Sequence, residues 1–139
     1  MIASVGIELP RYRVECVDPA SMREWAVFLR DPNPIHLDAR AVQAKGLGDA
    51  VINQGVANLA YVIVMLQVAF PDSALRALDV RYVGSVFGGD AVEAGGKVTE
   101  VVTAGAAEQI RCDVWLRADA RDVVISGSAV LDRGVAASC

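Results

Sequence analysis

Histidine and cysteine are scarce in this sequence of 139 residues, which has one histidine, His36, and three cysteines, Cys16, Cys112 and Cys139. They do not form a cluster with metal-ligand spacing, and no glycine-rich dinucleotide-binding loop is present. We therefore expect no metal or redox cofactor. An odd number of cysteines without a pairing pattern is typical of a reducing compartment. Cys112, on the apolar side of an alternating segment, is predicted to be a small buried residue.

Clusters of basic residues are also lacking. Lysine and arginine together number 13, against 17 aspartates and glutamates, which gives a formal net charge of −4. Because the basic residues are scattered along the chain, the sequence argues against binding to nucleic acid or to an anionic membrane. A small local patch for a phosphorylated ligand remains compatible with this charge balance.

Long apolar runs are missing as well. The most apolar run covers residues 56–70 and contains Asn58 and Gln67, so it is shorter than the roughly 20 residues that a membrane-spanning helix needs. The first residues lack the basic region and apolar stretch of a signal peptide. We therefore expect a cytoplasmic protein without a membrane span. With 54% apolar residues the chain can bury a substantial core, and we predict one domain over residues 1–139.

The periodicity of apolar residues divides the chain into a helical half and a strand-like half. Asp18-Pro19 predicts a helix that ends near Arg30, and Asp38 predicts the cap of a second helix. The helix after Asp38 is predicted over residues 39–45. A third helix is predicted over residues 55–70 and is apolar on nearly every face. Alternation predicts strands over residues 79–87, 91–102, 108–116 and 123–131, with hairpin connections at 88–90 and 118–122.

The fold that buries these elements most simply is of the α+β class. Together with an N-terminal strand, the predicted segments give about five antiparallel strands wrapped around one long central helix. Such a sheet leaves strand edges exposed, and pairing with a second copy would cover them. We therefore expect a dimer.

The single histidine lies in a short, proline-rich loop, Asp31-Pro32-Asn33-Pro34-Ile35-His36. Each proline fixes its own φ and keeps the residue before it out of the helical conformation. The loop therefore holds the Asp31 carboxylate and the His36 imidazole in a small set of relative positions, which suits an acid–base pair. If the protein is an enzyme, we expect its chemistry in this loop.

The loop resembles the Asp-x-Asn-Pro-x-His signature of the MaoC-like dehydratases, a family that includes the (R)-specific enoyl-CoA hydratases. Residues 6–10, 53–55 and 81–90 resemble further segments of the family in the same order and spacing. The resemblance implies a hot-dog fold, in which an antiparallel sheet wraps around a central helix, usually paired into a dimer. That expectation agrees with the fold predicted from periodicity.

The resemblance also implies a reaction, the reversible addition of water to a trans-2-enoyl thioester of coenzyme A or acyl-carrier protein, which gives an (R)-3-hydroxyacyl thioester. By motif, Asp31 and His36 would hold and activate the water. The N–H of Gly55 would polarise the thioester carbonyl, with Gln54 and Val56 beside it in the oxyanion and substrate-binding site. A backbone donor at a helix N-terminus suits the negative charge that develops there. Asn33 is expected to orient the loop.

The sequence departs from the family pattern at two places. Leu29-Arg30 stands where the family commonly has Ser-Gly, and Gln54-Gly55-Val56 stands where it commonly has His-Gly-Met. These changes bear on the identity of the substrate more than on the type of reaction.

Three other functions are compatible with the sequence. The chain could be the catalytic half of a heterodimer with another hot-dog subunit, acting on a bulky acyl-CoA such as a steroid or polyketide-like thioester. It could also be a hot-dog thioesterase, which would release a free thiol and which the loop signature disfavours. An acyl-binding module would bind the thioester without converting it.

Overall fold

The computed structural model describes residues 1–134, which form a five-stranded antiparallel sheet and three α-helices. The helices are α1 (Pro19–Leu29), α2 (Ala39–Ala44) and α3 (Gly55–Ala69), and a short 3-10 helix covers Pro34–His36. The strands are β1 (Tyr12–Val14), β2 (Ser73–Tyr82), β3 (Val92–Ala104), β4 (Ala107–Ala118) and β5 (Val123–Arg133). The predicted α+β architecture is confirmed. Residues 135–139, with Cys139 and the predicted end of the domain, lie outside the described residues.

Helix α1 begins and ends where the sequence predicts. The carboxylate of Asp18 accepts a hydrogen bond from the N–H of Ala20 at 2.9 Å, which caps the first turn. At the other end Arg30 adopts the left-handed conformation, with φ 51° and ψ 42°. Among residues 1–134 it is the only residue other than glycine with a positive φ. This conformation costs a residue that has a Cβ on the order of 1 kcal/mol.

The core lies between α3 and one face of the sheet. The alternation predicted for β4 is confirmed, because Ile110, Cys112, Val114 and Leu116 are all buried. Helix α3 contributes Ala57, Val62, Met65, Leu66 and Ala69 to the buried residues. It is not covered on every side as predicted, since Val68 on its outer face is 60% exposed. No helix within residues 1–134 combines the length and the apolar character that crossing a membrane requires.

Strand β2 differs from its prediction at both ends, because it covers Ser73–Tyr82 instead of residues 79–87. The N–H groups of Val83 and Gly84 both donate to the carbonyl of Val124, at 2.9 and 3.3 Å, so the one-to-one pairing with β5 ends there. The strand lies at an edge of the sheet and most of its residues are exposed. Because most of its residues are exposed, its sequence lacks the alternation of apolar and polar residues on which the prediction depended.

The predicted hairpin connection at residues 88–90 is wrong. The strand order is β1-β3-β4-β5-β2, so β2 and β3 are not neighbours and the chain must cross the sheet between them. Gly88 and Gly89 donate their N–H groups to the carbonyls of Val51 and Val17, each at 2.8 Å, instead of to a hairpin partner. The prediction assumed that consecutive strands pair, which is confirmed for β4 and β5 but fails at this crossover.

Cys112 offers a simple test of the core. Burial raises the pKa of its thiol to about 11, and the thiolate is the form that reacts with alkylating agents. We therefore expect iodoacetamide at pH 8 to leave Cys112 unmodified in the folded protein while it modifies the exposed Cys16. Peptide mapping by mass spectrometry measures both, and unfolding in urea is the control that makes Cys112 reactive. Rapid alkylation of Cys112 in the folded protein would contradict this position in the core.

Candidate active site

The loop from Asp31 to His36 is braced by its own hydrogen bonds. The Oδ1 atom of Asp31 accepts from the N–H of Asn33 at 3.2 Å, and the Oδ1 atom of Asn33 accepts from the N–H of Ile35 at 3.3 Å. Asn33 thereby caps the 3-10 helix that carries His36. The N–H of Asp31 donates to the carbonyl of Ala26 at 2.9 Å, which anchors the loop to α1. These bonds support the loop-orienting role proposed for Asn33.

The imidazole of His36 lies between two oxygen atoms. Its Nε2 atom is 3.4 Å from Oδ2 of Asp31, and its Nδ1 atom is 2.6 Å from the carbonyl oxygen of Ile52. A carbonyl oxygen can only accept a hydrogen bond, so Nδ1 carries the hydrogen and Nε2 of the neutral ring is an acceptor. Two acceptors, Nε2 and the carboxylate, therefore lie side by side. A single water molecule beside them can donate one hydrogen to each.

The two side chains of the pair differ in exposure. The imidazole of His36 is 10% exposed, whereas the carboxylate side chain of Asp31 is 40% exposed. The histidine therefore lies at the inner end of the pair and the aspartate at its mouth. A molecule from solution reaches the pair from the side of Asp31.

Ile52 connects the loop to the start of α3. Its N–H donates to the carbonyl of Ile35 at 2.8 Å, while its own carbonyl accepts from His36. Residues 51–53 are bonded on their other side to residues 86–88, so this segment is held between two loops. Gly55, three residues after Ile52, is the first residue of α3. The backbone thus links the Asp31–His36 pair to the helix N-terminus.

The N-terminus of α3 lacks a capping side chain among the described residues. Gln54 occupies the cap position, but it is buried and its Nε2 atom donates to the carbonyl of Met22 in α1 at 2.8 Å. Gly55 and Val56 are exposed. A Cβ on Gly55 would lie 3.2 Å from the ring of Tyr82. The first N–H groups of a helix have no intrahelical acceptor and attract a negatively charged oxygen.

The structure brings together the predicted site residues of the loop and links them to the start of α3. Asp31, Asn33 and His36 share one braced loop, which is joined to the segment before Gly55. Gln54 donates through Nε2 to the carbonyl of Met22 and so ties α3 to α1, and its contact with substrate stays a prediction.

Sequence analysis missed two polar groups near the site. The carbonyl of Ile52 fixes the tautomer of His36, and a backbone acceptor leaves no signal in the pattern of side chains. The second group is the buried pair in which Nδ2 of Asn53 donates to Oδ1 of Asn58 at 2.7 Å. Two asparagines in an otherwise apolar stretch were the signal that could have revealed it. Over residues 1–134, no three histidine, cysteine or acidic side chains come close enough to hold a metal ion.

The family model for the MaoC-like domain matches residues 6–115, a stretch that includes the loop, α3 and most of the sheet. The chain belongs to the MaoC-like dehydratase family. The resemblance seen in the loop signature is therefore confirmed. None of the curated proteins compared with this MaoC-like protein matches it.

Three solved structures resemble this MaoC-like protein over nearly its whole length. The (R)-hydratase from A. caviae involved in PHA biosynthesis has 21% identity and a TM-score of 0.81, covering 93% of this chain and 96% of that one. The R-hydratase PhaJ1 from Pseudomonas aeruginosa has 19% identity and a TM-score of 0.79, covering 99% and 90%. A chain of the ChsH1–ChsH2 complex from Mycobacterium tuberculosis has 21% identity and a TM-score of 0.80, covering 95% and 99%. These similarities confirm the hot-dog fold.

Proposed function

We propose that this MaoC-like protein is a hydratase/dehydratase that interconverts a trans-2-enoyl thioester and an (R)-3-hydroxyacyl thioester. The observation that carries the proposal is the position of two acceptors, Nε2 of His36 and Oδ2 of Asp31, 3.4 Å apart on one braced loop. Membership of the MaoC-like dehydratase family and the two structural relatives named as (R)-hydratases support it.

The acid–base pair can perform both proton transfers of the reaction. A water molecule that donates to His36 and Asp31 has its lone pair free to attack C3 of the enoyl group. As the C–O bond forms, Nε2 takes a proton from the water, and the resulting imidazolium is stabilised by the Asp31 carboxylate and the Ile52 carbonyl. The same nitrogen can then return a proton to C2. Dehydration is the reverse of these steps.

The N-terminus of α3 suits the charge that develops on the thioester. When water adds to C3, the electrons of the double bond move towards the carbonyl oxygen, which becomes negative until C2 is protonated. The N–H of Gly55, at the first position of an uncapped helix, is a donor for this oxygen. Gly55 has no side chain to obstruct the approach of the thioester, and the exposed Val56 follows it as a substrate-contacting residue.

The proposal includes a second hot-dog subunit, an identical copy or a different chain. Strand β2 is an edge strand, and the neighbouring helix α3 leaves Val68 60% exposed. Two structural relatives are complexes of different chains, ChsH1–ChsH2 and the HadBC (3R)-hydroxyacyl-ACP dehydratase. Coenzyme A or an acyl-carrier protein would enter as part of the substrate, without a separate cofactor. A cytoplasmic location belongs to the same proposal.

The experiment that tests this function follows the loss of absorbance of the conjugated enoyl thioester. The purified protein is incubated with short- and medium-chain trans-2-enoyl-CoA, and the product is resolved by chiral chromatography. We expect the absorbance to fall and the product to be the (R)-3-hydroxyacyl thioester. An (S) product from a well-folded protein would contradict the proposed geometry.

The same assay separates the alternatives. Release of free coenzyme A, detected with a thiol reagent, would identify a thioesterase. Activity that appears only when a second hot-dog chain is co-expressed would identify a heterodimer, and a steroid or polyketide-like acyl group is then the substrate to compare. If the protein binds the thioester tightly but does not convert it, either alone or in a complex with the second hot-dog chain, it is an acyl-binding module.

A further inference from the structure

An open cleft of about 490 Å³ lies along α1 and is lined at one end by Asp31 and Pro32 of the loop. Its surface is almost entirely apolar, and two arginines are among the residues that line it. The lining residues are Arg23, Ala26, Val27, Arg30, Asp31, Pro32 and Leu37. Asp31 is the only acidic residue among them, beside the two arginines, whose stems contribute to the mostly apolar wall of the cleft. In a protein with a net charge of −4, this is a local excess of positive charge beside the proposed active site.

The left-handed backbone conformation of Arg30 points to a function of its side chain. Helices that end in a left-handed residue usually have glycine there, because glycine adopts this conformation without steric cost. Arg30 ends α1 with φ 51°, and its capping bonds are made by its backbone N–H. The guanidinium group plays no part in that cap. An unfavourable conformation kept beside a candidate active site is a reason to look for a function of the side chain.

Neither cleft arginine is neutralised by a neighbour. Within the described residues no carboxylate forms an ion pair with Arg23 or Arg30, whereas Arg13, Arg76 and Arg133 each pair with an acidic side chain. Arg23 precedes Arg30 by seven residues, which is about 10 Å along a helix. An anion can therefore bind to either guanidinium group, and the two groups lie at different distances from Asp31. Arginine forms paired, charge-assisted hydrogen bonds with phosphate oxygens.

We propose that Arg30 and Arg23 bind the phosphate of the pantetheine arm that carries the acyl thioester. The inference rests on the proposed function, because it places the thioester of the same substrate at Asp31. Val27 and Leu37 provide apolar contacts for the methylene groups of the arm. The phosphate can come from coenzyme A or from the prosthetic group of a carrier protein, since both contain a phosphate ester of pantetheine.

The test compares three substrates with the same enoyl group, attached to coenzyme A, to 4′-phosphopantetheine and to pantetheine without phosphate. Arg30→Gly removes the guanidinium group and favours the left-handed backbone, so it should not weaken the fold. We expect the ratio of kcat/KM for enoyl-CoA to that for enoyl-pantetheine to fall about tenfold in Arg30→Gly, the effect of losing one charge-assisted hydrogen bond. Arg23→Gln should lower the same ratio. Arg40→Gln, the same loss of charge outside the cleft, should keep it.

The outcomes decide between a phosphate contact and other roles. An equal fall with the phosphate-free substrate, or an unchanged ratio in both cleft variants, would overturn the proposal. A fall with enoyl-CoA and with enoyl-phosphopantetheine supports it through the phosphate that both carriers share. A fall with enoyl-CoA alone would overturn it, because the contact would then be with the additional phosphates of coenzyme A and not with the phosphate of the arm.

A binding measurement keeps the inference separate from the reaction. Isothermal titration with butyryl-CoA, which cannot be hydrated, measures affinity without turnover. If the wild-type protein converts none of the three substrates, either alone or with a co-expressed hot-dog chain, the proposed function fails. Binding of butyryl-CoA that weakens tenfold in Arg30→Gly but not in Arg40→Gln would still support the phosphate contact. Equal affinity in all the proteins, or no binding at all, would overturn it.

Discussion

Replacing Asp31 with asparagine is expected to lower kcat/KM for trans-2-enoyl-CoA by about 10³-fold, the middle of the range for loss of an acid–base group. An amide has nearly the shape of the carboxylate, so the fold should persist. It cannot hold the water as an anion does, and it cannot stabilise an imidazolium at His36. Steady-state assays of hydration measure the loss, and circular dichroism checks the fold.

His36→Gln should have an effect of similar size, because it removes the group that takes the proton. If both residues act on one water molecule, the double variant should be scarcely slower than either single variant. If the fold-loss of kcat/KM in the double variant equals the product of the two single losses, the residues act in separate steps.

Asp38→Asn is the matched control for this pair. Asp38 lies two residues after His36 and caps α2 by accepting from the N–H of Arg40 at 2.8 Å. Asparagine caps a helix about as well as aspartate does, so this variant should keep stability and activity close to the wild type. A loss in Asp38→Asn as large as that in Asp31→Asn would mean that charge near the loop matters, not the position of Asp31.

Gly127→Ala is expected to have the second large effect, this time on stability. A Cβ at this position of β5 would lie 2.0 Å from the carbonyl oxygen of Asp79 and 2.7 Å from the Cα of Val80. Both atoms belong to the backbone of the neighbouring strand β2, which cannot move aside as a side chain can. We expect the free energy of unfolding to fall by about 3 kcal/mol, the upper part of the usual range for overpacking. Urea denaturation followed by tryptophan fluorescence measures it.

Gly105→Ala separates this steric effect from the general cost of replacing glycine. Gly105 lies in the turn between β3 and β4 with φ +64°, and a Cβ there would meet no atom within 4 Å. Its cost is therefore conformational only, about 1 kcal/mol. If Gly127→Ala were no more destabilising than Gly105→Ala, the close approach of β2 and β5 would be wrong.

Local signals predicted the helices and the loop correctly. Asp18 caps α1 through a side chain that bonds within two residues, and the prolines of the loop act on their own and the preceding residue. Such effects are contained in a few consecutive residues, so the sequence is sufficient. The pairing of Asp31 with His36 is local in the same sense, because only four residues, two of them prolines, lie between them.

Features that depend on distant residues were not predictable in this way. The end of β2 depends on the carbonyl of Val124, about 40 residues later, which accepts from both Val83 and Gly84. The orientation of His36 depends on a carbonyl of Ile52, which no side-chain pattern encodes. The cleft along α1 could not be predicted for a related reason. The sequence shows Arg30 as a departure from the family pattern, but the left-handed conformation of its backbone depends on how α1 ends.

The strand order also has a consequence for synthesis on the ribosome. Strand β2 is made directly after α3, yet its partner β5 is the last strand described, and Ser73 pairs with Arg133. At roughly 5–20 residues per second, β2 waits several seconds for that partner. A nascent chain that stalls before β5 therefore exposes an unpaired strand edge next to apolar surface, the kind of species that chaperones bind and that aggregates when they are scarce.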